Sequence, residues 1–121
     1  MIDMSAGEAE RNALYDAAIS ANGGAWPDME GLIRDVYVAY LREGDLALDV
    51  GVNHGGHLVQ MAEAVGGAGK VIGFEAVPEL VRKTHDLIRD HYSHLSDRIQ
   101  LHNVAVSDHH GSAKFFFAQF N

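Results

Sequence analysis

Cysteine is absent from the 121 residues, which excludes a disulfide framework, a thiolate metal site and a cysteine nucleophile. Cations are scarce: 9 Lys and Arg stand against 17 Asp and Glu, for a formal net charge of -8. Neutralising a phosphate backbone needs clustered cations, so nucleic acid is not expected as a partner. The apolar runs fall far short of the roughly 18 residues of a membrane span. The start, MIDMSAGEAERN, has neither the basic nor the apolar region of a signal peptide. No membrane partner is expected, and the expected location is cytoplasmic. Only 2 Pro interrupt the chain, whereas 13 Gly punctuate it and 47% of residues are hydrophobic. A chain of this length is expected to build one core.

The punctuation separates an N-terminal helical segment, residues 1–44, from an α/β domain, residues 45–121. Ser5 and Glu8 have the spacing of a capping box, and Asn22-Gly23-Gly24 ends the first helix. A second helix is expected from near Asp28, with Met29, Leu32, Ile33, Val36, Tyr37, Tyr40 and Leu41 at helical spacing. After Glu43-Gly44-Asp45 the pattern alternates strand and helix. LALDV (46–50) is the short apolar run of a parallel strand buried on both faces. VIGFE (71–75) and RIQLHNVAV (98–106) read as the second and third strands, and KFFFAQF (114–120) as a fourth in a hairpin. Leu58, Met61, Ala62 and Val65 mark one intervening helix. Pro78 opens the next, which carries Leu80, Val81, Thr84, Leu87 and Ile88. This order predicts a Rossmann-like parallel sheet, the βαβαβ half of a doubly wound fold, preceded by helices.

The stretch Asp49-Val50-Gly51-Val52-Asn53-His54-Gly55-Gly56-His57 joins a strand to a helix, the context in which a glycine loop binds ligands. Gly51 permits a tight turn, and Gly55 or Gly56 lets a ligand approach the backbone where the helix begins. Asp49 just ahead of the loop argues against a pyrophosphate and for a zwitterion with an ammonium. Glu75, at the end of the second strand, can accept hydrogen bonds from both hydroxyls of a ribose. Together they ask for an adenosine nucleoside with a small charged tail. A nicotinamide oxidoreductase is the alternative, disfavoured because the glycine spacing is not G-x-G-x-x-G. Plainer readings also stand: Asp49 as a turn cap, Glu75 as a solvated strand-end acid, Asn53 as a partner for loop backbone groups.

DVGVNHGGH, VIGFEAVPE and IQLHNVAVSD…GSAKFFF resemble the class I S-adenosylmethionine-dependent methyltransferases, and more narrowly the FkbM family of O-methyltransferases, over about residues 44–120. That family carries D-x-G-A-N-x-G, F-E-P-x-P and N-x-A-[VL]-[SG]-D segments; here Val52 replaces the Ala and Ala76 the first Pro. The resemblance implies S-adenosylmethionine as cofactor and a small hydroxylated molecule as methyl acceptor. It places Asp49, Gly51, Asn53 and Gly55 on the methionine side and Glu75 on the ribose. Ala76 and Val77 would flank the adenine, with Asn103 and Ala105 bordering it from the other side. No catalytic residue is assigned, although His54 and His57 are candidate bases. The eight His show no metal-ligand pattern, so no metal is expected. The family's second half does not follow within these residues, which predicts a cofactor half with little turnover of its own. A non-catalytic folded module is the alternative. An apolar first strand left at an edge predicts a homodimer joined near it. Glu75→Ala is expected to weaken S-adenosylhomocysteine binding at least tenfold while leaving the domain folded.

Overall fold

The computed structural model describes residues 6–116. They fall into two compact units that divide between Tyr40 and Leu41. In the first, α1 (Ala6–Ala21) precedes α2 (Met29–Tyr40). Gly23 (φ 68°) and Gly24 (φ 87°) end α1 in the left-handed region, where glycine lacks the Cβ penalty. The Gly24 N–H returns to the Ile19 carbonyl at 2.9 Å. Asp28 caps α2, its Oδ1 accepting from the Gly31 N–H at 3.0 Å. Ser5, the expected cap of the first helix, lies outside the described residues.

The second unit runs β1 (Leu46–Val50), α3 (Gly56–Ala64), β2 (Lys70–Phe74), α4 (Pro78–His91), a 3₁₀ turn (Ser93–Arg98) and β3 (Ile99–His102). The strands are parallel in the order β1-β2-β3, so the expected Rossmann-like βαβαβ unit is present. Both crossovers step the same way along the sheet. Right-handed connections therefore put α3 and α4 on one face. There Leu58, Val65, Val71 and Leu95 have no solvent exposure, and Val52, Val59, Ala62 and Ile88 pack with them. Gly73 makes this approach possible, because a Cβ on it would stand 2.7 Å from Val52 Cγ2 and 2.9 Å from Leu58 Cδ1. Arg98 Nη1 donates to the Ala62 carbonyl at 3.1 Å, supporting the end of α3.

Two expectations change. β1 is buried on one face only: Ala47 is 8% exposed, but Leu46, Leu48 and Val50 are 57–64% exposed. Both crossover helices lie on the Ala47 side, and within this unit's described residues nothing covers the other. The third strand is also shorter than residues 98–106. Its last partner on β2 is Phe74, opposite His102, and past that pair β2 has turned away toward α4. Residues 103–116 contain no strand, so the expected hairpin is not formed over 114–116. The remainder of KFFFAQF lies outside the described residues.

Candidate functional site

Five of the expected residues meet where the chain leaves β1. Gly51 (φ 83°) makes the turn, and its N–H and that of Val52 both donate to the Phe74 carbonyl, at 2.8 and 3.2 Å. A Cβ on Gly51 would meet nothing within 4 Å, so the space beside this backbone is open. Asn53 follows at φ 55°, the one non-glycine with positive φ among the described residues. Asn tolerates that region better than most residues because its short polar side chain can bond locally. Gly55 (φ 84°) then caps α3 with no side-chain bond.

Glu75 is 7% exposed, and each of its carboxylate oxygens is engaged. Oε2 accepts from the Asn53 N–H at 2.8 Å and Oε1 from the Val77 N–H at 2.9 Å. It therefore ties the loop after β1 to the loop after β2. Each oxygen has a second lone-pair direction, which leaves acceptor capacity for a ligand hydroxyl. The Asn103 amide is used structurally: Nδ2 donates to the carbonyls of Glu75 and Ala76 at 2.9 and 3.1 Å. Ala76, Asn103 and Ala105 line an open cavity of about 720 Å³ that continues to Phe115.

Asp49 is the exception in this well-bonded set. Its Oδ2 is buried with no hydrogen-bond partner. Burial raises its pKa above the usual carboxylate range; the nearby His57 pulls it down and the Glu75 charge pushes it up. His57 is half-buried on α3 and His54 is exposed. A fully buried residue of α4, Thr84, also reaches this loop, its Oγ1 donating to the Asn53 carbonyl at 3.2 Å. The sequence marked Thr84 only as a helix-face position. Its one signal is a hydroxyl among aliphatic neighbours.

Elsewhere, Ser107 Oγ and Asp108 Oδ1 both approach His109 Nδ1, at 3.0 and 2.8 Å. A proton-relay triad uses both ring nitrogens, so this exposed cluster is not one. Among the described residues no group of three or more His, Asp or Glu is placed to hold a metal ion.

The model of the protein-L-isoaspartate(D-aspartate) O-methyltransferase family matches residues 9–115. The chain belongs to that family. A Caenorhabditis elegans protein-L-isoaspartate O-methyltransferase is 35% identical over 101 residues, 84% of this chain and 41% of the relative. An Archaeoglobus fulgidus protein-L-isoaspartate O-methyltransferase 2 is 45% identical over 49 residues, 40% of this chain and 22% of the relative. The chain thus spans less than half the length of these relatives. Among solved structures, a Clostridium thermocellum protein described as an rRNA methylase superposes with TM-score 0.61 at 25% identity, covering 67% of this chain and 42% of that one. A Thermotoga maritima SAM-dependent O-methyltransferase gives 0.54 at 25% identity, covering 66% and 29%.

The fold is therefore that of the class I S-adenosylmethionine-dependent methyltransferases, as the motifs implied, but the narrower FkbM resemblance is replaced by the isoaspartate family. The motifs that carried the resemblance belong to the shared class I fold, so they do not separate the families within it. The residues present fit S-adenosylmethionine on one observation: an orphaned carboxylate oxygen, on Asp49, beside an open glycine turn. An ammonium would satisfy it and a pyrophosphate would be repelled, so the nicotinamide alternative is not favoured.

Proposed function

We propose that this chain forms the S-adenosylmethionine-binding part of a methyltransferase whose acceptor is the carboxylate of an isoaspartyl residue in a protein. The buried, unpartnered Asp49 Oδ2 carries the cofactor reading. Family membership supports the acceptor. Asp49 would receive the cofactor's ammonium, and Glu75 would accept the ribose hydroxyls on the lone pairs its two amide contacts leave. Gly51, Asn53 and Gly55 would form the floor, and Ala76, Asn103 and Ala105 the adenine side. When bound, the cofactor supplies a methyl group on an already activated sulfonium. The protein's task is then to hold an acceptor oxygen in line and keep water away. An isoaspartyl carboxylate is ionised at neutral pH and needs no base.

A second reading keeps a small hydroxylated acceptor, from which a proton must be removed. It is favoured by the position of His57, half-buried in the first turn of α3 beside this loop, because imidazole is a side chain that can serve as a base near neutral pH. Calorimetry tests the cofactor: heat with S-adenosylmethionine and S-adenosylhomocysteine is expected, and heat with NAD alone refutes the reading. The acceptor is tested by labelled methyl transfer to isoaspartyl and aspartyl versions of one peptide and to a panel of hydroxylated small molecules. The chain is expected to turn over little, and what label it transfers is expected on the isoaspartyl peptide alone. Label on hydroxyl compounds alone selects the second reading.

A further inference from the structure

We infer that Thr84 is a positioning residue of the cofactor loop, holding Asn53 in its left-handed conformation from α4; this rests on the cofactor reading above. A buried threonine within a helix ordinarily returns its hydroxyl to a carbonyl one turn back. Thr84 instead reaches across to the Asn53 carbonyl at 3.2 Å, over a separation of 31 residues. The Asn53 N–H is held at 2.8 Å by Glu75 Oε2. Asn53 is therefore gripped at both ends of its backbone, by an acid from the end of β2 and a hydroxyl from α4.

The grip falls on the residue that needs it. Asn53 is the non-glycine held at positive φ, a conformation that persists only where surrounding contacts impose it. Thr84 also meets the loop a second time. Its Cγ2 stands where it would be 2.8 Å from a Cβ on Gly55, so its methyl seats against the glycine that opens α3. The hydroxyl sets the direction of the Asn53 peptide and the methyl sets the distance of the loop from α4. Between these contacts and Asp49 lies the open turn at Gly51.

The test uses Thr84→Val, which keeps the shape and removes the hydroxyl, and Thr84→Ser, which keeps the hydroxyl and removes the methyl. Three measurements are compared with wild type: S-adenosylhomocysteine affinity by calorimetry, amide hydrogen exchange at residues 53–56, and the global urea midpoint. Loss of one neutral hydrogen bond should weaken affinity roughly fivefold. Thr84→Val is expected to show this, with faster exchange in the loop, and Thr84→Ser, which keeps the hydroxyl but not the methyl, to fall between Thr84→Val and wild type in both. Unchanged affinity and unchanged loop exchange in Thr84→Val overturn the role. So does a Thr84→Val chain that fails to fold, or one whose urea midpoint falls while loop and affinity stay as in wild type, since each makes Thr84 structural only. Wild-type chain that takes up no S-adenosylhomocysteine overturns the cofactor reading alone. The exchange arm then still decides whether Thr84 holds the loop.

Discussion

At Asp49 a carboxylate oxygen sits buried without a partner, and burial, more than the neighbouring charges, raises its pKa. A carboxyl whose pKa is raised on folding holds its proton more tightly in the folded state. Its contribution to stability is full below the ordinary carboxylate range and is lost as pH rises through the raised value. We expect Asp49→Asn to flatten that part of the stability-versus-pH curve. At neutral pH the substitution removes a partly buried charge, although its amide still lacks a partner, and should raise ligand-free stability by no more than about 1 kcal/mol. The same variant should bind S-adenosylhomocysteine at least tenfold more weakly. Paired thermal melts and calorimetry check both signs, and a variant that loses stability at neutral pH would contradict the orphaned carboxylate. Glu75 behaves oppositely because both of its oxygens already accept backbone amides. Glu75→Ala is still expected to leave the domain folded, but these contacts add a stability cost to the substitution. Each charge-assisted bond is worth about 1.5–3 kcal/mol, so urea unfolding of Glu75→Ala should show a loss of that order together with weaker binding.

Helix α3 approaches the sheet where two glycines leave room. Gly73 faces Val52 and Leu58, and a Cβ there would be 2.7 Å and 2.9 Å from their methyl carbons. Gly55 faces Thr84 and also holds φ 84°. Overfilling a packed contact costs about 1–3 kcal/mol, and a left-handed backbone adds about 1–2 kcal/mol for a residue with a Cβ. Gly55→Ala should therefore destabilise more than Gly73→Ala, and it should also push the loop away from Thr84. Denaturant midpoints rank the two; equal costs would mean that the backbone conformation at Gly55 contributes nothing. α4 is placed by the same packing, with Ile88 and Thr84 buried. Its ion pairs, Lys83 with Glu79 and Arg82 with Asp86, lie in solvent and add little.

At the scale of the α/β unit, what remains open among its described residues is the far side of β1. Leu46, Leu48 and Val50 are more than half exposed, and among the described residues β1 pairs only with β2. An apolar strand edge is a template for another strand. We expect a second copy of the chain to supply it in a two-fold dimer, a contact that closes on itself. Light scattering at micromolar concentration should give twice the 13.1 kDa chain mass. Leu48→Lys, on the exposed face of β1, should shift the mass toward the monomer. A soluble monomer throughout would show that this edge is not an interface between copies.

The local chemistry was legible in the sequence. Apolar periodicity placed β1, α3, β2 and α4, and Pro78 marked the start of α4, because these signals depend on neighbours a few residues apart. Gly51 and Gly55 announced a turn, since few other residues take positive φ. The acids Asp49 and Glu75 were visible as the two carboxylates flanking that turn. The family was not legible, because the loop motifs are shared across the class I fold. Only tertiary structure decided how the site is held. The bonds from Asn53 to Glu75, from Thr84 to Asn53 and from Asn103 to Glu75 span 22, 31 and 28 residues, and no periodicity encodes which oxygen meets which amide across such distances. The end of β3 was set by where β2 stops offering partners. The bare face of β1 was set by two right-handed crossovers that stepped the same way. Sequence spacing names the groups, whereas folding the intervening helices against the sheet fixes which of them touch, and leaves Asp49 Oδ2 without a partner.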